Sequence, residues 1–292
     1  MIDVTICIPT RQARQLLCAC LQSLASQPAD LACEVIVVDN NSRDGTVEMI
    51  RQEFPAVKLI CNDHNAGFTR PANQALRLAR GRYALLLNSD TEVPAGAIAR
   101  LVKFADTHPE AGICGPRVVF PDGTLQKQCR RNFGTPWSAF CYQIGLGRLF
   151  PGSRLFDSYL ASTAIENRTH PVAAVSGSCM LIRKELMDAI GLLDETYFAY
   201  WEDSDYCYRA YEAGWKVFYV HESEIVHHSG KGGSHVEPFR TAYHWHRSHF
   251  IFYRKYLSRH HFFLVNLIYY LMILLRLAFK LFLTALKKLW PR

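Results

Sequence analysis

The 292-residue sequence predicts an α/β protein built on a mostly parallel sheet with helices on both faces. Three observations carry that expectation. Up to about residue 120, short apolar runs alternate with segments of helical length. The runs are rich in Val, Ile and Leu and show no polar face, as strands buried on both sides require. Three of them lead into polar clusters, Pro9-Thr10, Asp39-Asn40-Asn41 and Asn88-Ser89-Asp90, at the edge where such sheets bind ligands.

Taken in order, residues 4–8, 34–38, 57–61 and 83–87 read as strands, and residues 14–26, 45–54, 71–80 and 95–107 as helices. From about 120 to 170 the pattern loosens ("FPDGTLQKQCRRNFGTPWSAF"), which predicts loops and short helices carrying substrate contacts. Regularity returns with a strand over 173–182 and a helix over 184–190. After "GLLDETYFAYWEDSD" comes a helix through Tyr211, closed by Gly214, then strands at 217–220 and 224–227 and a Gly-rich turn, Gly230 to Gly233, carrying Lys231.

Composition bounds the class. Apolar content of 49% and charged content of 20% are those of a globular chain. Ten cysteines are scattered, with Cys18-Ala-Cys20 but no C-x-x-C, so neither zinc nor a disulfide framework is expected, and a reduced compartment is. Met1 leads straight into a strand-like segment, so no export signal is expected. Of 33 Lys/Arg and 26 Asp/Glu, residues 236–292 hold ten and one, giving the tail +9 and the first 235 residues −2. The expected division is therefore a catalytic unit over 1–235 and a basic helical tail over 236–292.

The turn after the first strand, "PTRQAR", lacks the G-x-G-x-x-G of a dinucleotide site, and there is no Walker A loop. A nucleotide bound on this sheet would need its diphosphate charge met otherwise. A metal ion is the obvious means, and Asp90 its first ligand. Asp39, at a strand's carboxyl end, can either cap the loop that follows or accept a hydrogen bond from a pyrimidine ring N–H. Gly67 permits a tight turn, Arg70 offers a planar fork or is a surface residue, and Asn73 sits one turn into the helix. In "YFAYWEDSD", aromatic residues precede Glu202, Asp203 and Asp205. These acids either complement a helix dipole or work as a base in restricted solvent. His227 and His228 end a strand; His227 gains weight only if it converges with Asp90.

Together these stretches resemble an inverting glycosyltransferase of family 2 with the GT-A fold. The resemblance covers roughly residues 2–235 and rests on "VTICIPT", "VVDNNSRDGT", "NAGF", "LLLNSD", "SGSCMLIRKE", "GLLDETYFAYWEDSDYCYRAYEAGW" and "IVHHSG" in that order. It is most similar to bacterial members that add rhamnose to lipid-linked saccharides. "CRRNFG" resembles an Arg-Arg-Phe-Pro segment common there, interrupted here by Asn132 and Gly134. The resemblance implies a UDP- or dTDP-sugar donor held by Pro9, Thr10, Asp39, Asn41, Gly67, Arg70, Asn88, Ser89 and Asp90. It implies Mn²⁺ or Mg²⁺ on Asp90 and His227, Asp203 as catalytic base, and Glu202 and Trp201 at a polyprenyl-linked or glycan acceptor. Asn88 stands where many members carry the first carboxylate of an Asp-x-Asp motif. Rival readings are a nucleotidyltransferase acting on sugar phosphates and a non-catalytic basic membrane-binding protein; nucleic acid is not an expected partner.

The tail has an uncharged run of 14 residues, 262–275, short of the roughly 18–20 of a spanning helix. Arg276, Lys280 and Lys287 fall within about 40° of one another at ~100° per residue. That pattern predicts a helix over about 260–290 lying in the membrane interface, its basic stripe towards anionic headgroups. The alternatives are packing on the catalytic unit, packing on a second subunit as a homodimer, and a tilted span. The expected location is peripheral, on the cytoplasmic side of the inner or plasma membrane.

Overall fold

A computed structural model describes residues 2–28, 31–160, 166–229 and 237–289. The first half alternates β1 (Val4–Thr10), α1 (Arg14–Ala25), β2 (Cys33–Asn40), α2 (Thr46–Glu53), β3 (Lys58–Asn62), α3 (Thr69–Leu76) and β4 (Tyr83–Leu87). A two-residue strand β5 (Thr91–Glu92), helix α4 (Ala97–Thr107) and strand β6 (Ala111–Val119) follow. Next come β7 (Arg130–Arg131), α5 (Pro136–Ile144), α6 (Leu146–Leu149), β8 (His170–Val172), β9 (Ala174–Val175), β10 (Cys179–Arg183) and α7 (Lys184–Ile190). The chain continues through α8 (Glu202–Glu212), β11 (Lys216–His227), α9 (Pro238–Phe252) and α10 (Phe263–Leu289).

The main sheet has the order β3-β2-β1-β4-β10-β6-β11-β5, with β8 also on β11. β3, β2, β1 and β4 are mutually parallel, β10 runs antiparallel to both β4 and β6, and β6 is parallel to β11. Leu85 and Leu87 of β4 face one core layer with Leu17, Leu21 and Leu101, while Ala84 and Leu86 face the other with Leu76, Leu186 and Tyr206. Every residue of β4 is buried, which is why its sequence lacks a polar face. In the parallel pairing of β1 with β2, Thr10 stands beside Asp39 at the carboxyl edge.

Three departures from the sequence expectation are informative. β6 carries Gly112, Gly115 and Pro116, which argue against a strand in a lone sequence. The glycines are there because neighbours leave no room: a Cβ on Gly115 would stand 2.6 Å from Val175 Cβ, and one on Gly112 2.9 Å from Trp215 Cβ. Pro116 lies beyond the pairing with β10, next to the register shift in β11. The strand expected over 173–182 is two, because Ser176-Gly177-Ser178 leaves β9 paired with β7 while β10 joins the main sheet. Conversely, the strands expected at 217–220 and 224–227 are one, β11, interrupted only in register.

The expected edge at residue 235 does not bound the packing. In α9 and the turn after it, His246, Ser248, His249, Phe252 and Tyr253 are buried. Ser248 Oγ donates to Ala199 O at 2.9 Å, and Lys255 Nζ donates to Asp194 and Asp205 at 2.7 and 2.8 Å. α10 then packs back on α9 through Tyr269 and Ile273 and leaves most of its other apolar side chains exposed. The span Phe263–Lys288, mean hydropathy 1.8, is long and apolar enough to cross a membrane; counting only up to Arg276 understated it.

Candidate active site

β4 ends so that Asn88, Ser89 and Asp90 leave the sheet, and β5 then pairs antiparallel with the end of β11, His227 opposite Thr91. His228 N donates to Asp90 O at 2.9 Å, which draws His227 and Asp90, 137 positions apart, into one corner. There His227 Nε2 lies 3.1 Å from Asp90 Oδ1. The partner on the far side of the ring is Gln126, which the sequence did not single out. Its side-chain nitrogen donates to His227 O at 2.6 Å, so its oxygen faces His227 Nδ1 at 2.9 Å and accepts from it. With the proton on Nδ1, the Nε2 lone pair points at a carboxylate oxygen. The Nε2–Oδ1 contact then calls for a positive charge between the two atoms, a second ring proton or a metal ion, and Asn88 Oδ1, also buried, has no partner. One imidazole and hard oxygens suit Mn²⁺ or Mg²⁺. Among the described residues no group of three or more His, Cys, Asp or Glu forms a complete cage. An ion here would therefore keep positions open for a ligand's oxygens.

The opposite wall is the first turn of α8. Tyr200 and Trp201 both have φ of +67°, a left-handed backbone that costs bulky residues about 1–3 kcal/mol each. The loop before them is pinned by Phe68 N donating to Phe198 O at 2.7 Å. Gly67 must be glycine here, since a Cβ would sit 2.2 Å from that oxygen. The strained turn delivers Glu202 and Asp203 into the cleft. Asp203 Oδ2 accepts from Gly177 N at 3.0 Å and pairs with Arg131 Nη2 at 2.7 Å, and Oδ1 accepts from Ser204 N at 2.7 Å. The break between β9 and β10 thus serves the site by placing Gly177. Asp205 points the other way, fully buried against Arg209, Lys255 and Tyr256, and belongs to the scaffold.

Glu202 is buried with Oε2 unpartnered. Burial first, and the neighbouring Asp203 charge second, push its carboxyl from 4.5 up to about 8. A raised folded-state pKa means the native state binds the proton more tightly. The resulting stability is complete below the unfolded value and is lost as pH rises through about 8. Glu202→Gln has no charge to bury, so it is expected to gain on the wild type by an amount on the order of a few kcal/mol between pH 5 and 8.5. Thermal denaturation across that range reads this as a widening gap in Tm; a gap independent of pH would remove the burial penalty on Glu202.

On the donor side, of the two roles expected of Asp39, the loop cap is present. Oδ2 accepts from Ser42 N at 3.0 Å and caps the loop, whereas Oδ1 is buried without a partner, as is Thr10 Oγ1 beside it. Asn40, the middle residue of the polar cluster that ends β2, organises the next loop. Its Nδ2 donates to Asn65 Oδ1 and Gly67 O at 2.9 and 2.7 Å, and its Oδ1 accepts from Ala66 N at 3.1 Å. Pro9, Thr10, Gly67, Asn88, Ser89, Asp90, Trp201, Glu202, Asp203 and His227 all line one cleft of about 520 Å³. Asp39, 2% exposed, and Asn41, with φ of +63°, do not line it. Arg70 does not line it either: its Nε lies 3.5 Å from Glu195 Oε2 at the surface. Asn73 is structural, bonded to Leu193 and Glu195. His228 pairs with Glu92. Lys231 and the turn Gly230 to Gly233 lie outside the described residues.

α9 supplies a wall that composition had assigned to an appendage. Arg240, Thr241, His244 and Trp245 line the cleft, His244 stacks on Phe198 with centroids 4.0 Å apart, and Trp201 stacks on His249 at 4.5 Å. Among these additions only Arg131 had a sequence signal, its place in the Arg-Arg segment. Gln126 sits in a featureless loop and had none.

A family model described as glycosyl transferase family 2 matches residues 5–191. N-acetylglucosaminyl-diphospho-decaprenol L-rhamnosyltransferase of Mycobacterium tuberculosis is 29% identical over 229 residues, covering 75% of this chain and 73% of the relative. A low-salt glycan biosynthesis hexosyltransferase of Haloferax volcanii is 26% identical, covering 65% and 57%. Among solved structures, a mannosyltransferase of Pyrobaculum calidifontis in complex with GDP-Man and Mn²⁺ superposes with a TM-score of 0.58 at 22% identity, over 85% of this chain and 63% of that one. TarS of S. aureus in complex with UDP gives 0.54 at 17%, over 85% and 65%. The chain thus spans slightly less than two thirds of each of these two structures, and at such identities the likeness is one of fold.

Proposed function

The chain belongs to glycosyl transferase family 2 and has the GT-A fold, and from that premise we propose that it is a metal-dependent, inverting transferase. It moves a sugar, rhamnose by likeness to the mycobacterial relative, from a UDP or dTDP donor to a hydroxyl of a polyprenyl-linked glycan in cell-surface glycan synthesis. Family membership leaves no room for the nucleotidyltransferase reading or for the basic protein without an activity.

The observation that carries the proposal is the convergence of Asp90 and His227, 3.1 Å apart, in the same cleft as Glu202 and Asp203. The free Oδ1 of Asp39 is suited to the ring N–H of a pyrimidine, with Thr10 beside it. Asp90 and His227 would hold Mn²⁺ or Mg²⁺, which when bound supplies Lewis-acid stabilisation of the departing diphosphate. Asp203, oriented by Arg131, Gly177 and Ser204, takes the proton of the acceptor hydroxyl as that oxygen attacks the anomeric carbon. Attack from the face opposite the diphosphate inverts configuration in one displacement. Glu202, with its raised carboxyl pKa, remains largely protonated near neutral pH and donates a hydrogen bond to the acceptor. Trp201 offers that acceptor an apolar surface.

The catalytic unit then includes α9, and the tail proper is α10, which we assign to the membrane surface on the cytoplasmic side, where nucleotide sugars are available. Incubation with UDP- and dTDP-sugars and a short polyprenyl-diphosphate saccharide tests the whole. The expected result is nucleoside diphosphate release that EDTA abolishes and Mn²⁺ or Mg²⁺ restores; release indifferent to metal would refute the metal-dependent reading.

A further inference from the structure

A second cavity, a groove of about 1370 Å³, runs between α9 and α10 and shares Tyr200, Thr241 and Trp245 with the walls of the catalytic cleft. Its chemistry is amphiphilic. Ile268, Leu271 and Phe279 make it apolar, and Arg276, Lys280, Lys287 and Lys288 set four cations along it, with no acid among its described lining residues. The basic stripe expected to face lipid headgroups therefore turns, at Arg276, towards α9, where its guanidinium carbon lies 5.8 Å from the centre of the Trp245 ring.

One of the lining side chains holds a buried donor that nothing among the described residues satisfies, Arg276 Nη1. His246, 6% exposed, donates from Nδ1 to Ala242 O at 2.8 Å, so its Nε2 is an acceptor and takes no part in holding an anion. An unmet guanidinium donor beside uncompensated cations in an apolar channel describes a place for a strongly anionic group carried on a hydrocarbon. Packing of a second copy of α10 would bring more cations to the same seam, so charge opposes that occupant. The open side of the groove is continuous with exposed Ile268, Leu271 and Phe279, and its inner end meets the catalytic cleft.

We infer that this groove seats the diphosphate and first isoprene units of the polyprenyl-linked acceptor, Arg276 and Lys280, one helical turn apart, meeting the diphosphate and Ile268, Leu271 and Phe279 the hydrocarbon. The inference rests on the lipid-linked acceptor proposed above and adds where its lipid end is held. Trp245 and Thr241, common to both cavities, mark the path by which the saccharide reaches Asp203.

The test uses the full chain, with EDTA present so that diphosphate cannot be held through metal at Asp90. Farnesyl diphosphate is titrated by calorimetry beside inorganic diphosphate, and phosphatidylcholine vesicles with and without phosphatidylglycerol are pelleted with the protein. Lys280→Ala with Lys287→Ala changes two exposed side chains, and Arg276→Ala probes the inner end. Each deletion of a charge-assisted contact is expected to weaken farnesyl diphosphate about tenfold, with UDP affinity measured in Mn²⁺ unchanged. Unchanged farnesyl diphosphate affinity in both variants would overturn the inference. So would inorganic diphosphate binding as tightly, which would leave the apolar walls without a role. Loss of phosphatidylglycerol binding alone would reassign the row to lipid headgroups. A protein that takes farnesyl diphosphate in this groove but no nucleoside diphosphate anywhere would sink the transferase reading and leave the groove standing.

Discussion

Asp203→Asn is expected to slow sugar transfer by about 10²–10⁴-fold, the usual contribution of a positioned base, while nucleotide binding persists. The amide keeps the shape of the carboxylate and can still accept from Gly177 N, but it cannot take a proton from the acceptor hydroxyl. It also leaves Arg131, almost enclosed and 2.7 Å from Asp203 Oδ2 in the wild type, without its counter-charge. An uncompensated buried charge costs about 3–5 kcal/mol, so the variant should melt earlier as well as turn over slowly. The two effects separate by assay: turnover is measured below the variant's own Tm, and UDP binding there reports an intact donor side. Turnover within a fewfold of wild type under those conditions would strip Asp203 of its role as the base.

Asp90→Ala is expected to cost at least about 10–100-fold in metal-dependent affinity for UDP or dTDP, since supporting residues of metal sites alone contribute that much. Calorimetry with and without Mn²⁺ reads the difference directly. Affinity that is unchanged with metal present would detach Asp90 from the ion. Asp90→Asn is the informative control. Its amide nitrogen can donate to His227 Nε2, relieving the acceptor–acceptor contact, so the metal-free protein should lose no stability even as metal response falls. Equal loss of stability in both variants would mean that the corner is held together by the carboxylate itself and not kept for a cation.

Most of the fold was legible because burial on both faces leaves a plain trace. The observed bounds of β4 and α7 coincide with the residues expected, and the other early elements agree to within a few residues at either end. β6 was not legible, because the two glycines and the proline that disqualify it locally are explained only by Val175, Trp215 and the early end of β10. The break at Ser176-Gly177-Ser178 was hidden for the same reason: its purpose, a backbone N–H for Asp203, lies across the cleft. Arg70 shows the converse case: its guanidinium looks like a ligand in sequence, and in the fold it sits at the surface beside Glu195. Composition misled at α9, where basic and aromatic residues that look like membrane-facing tail stack on Phe198 and Trp201 instead.

By itself the sequence determined the alternating sheet, the edge on which the polar clusters fall, and the chemical types available there: a carboxylate after β4, an imidazole ending β11, acids opening α8. Those follow from local periodicity and side-chain chemistry, which any stretch of chain carries with it. Only the tertiary structure decided which of them meet. The pairing of β5 with β11 closes Asp90 on His227, Gln126 sets the tautomer, Arg131 orients Asp203, and α9 walls the cleft. Such contacts join residues far apart in the chain, and distance in space is not a property that local sequence encodes.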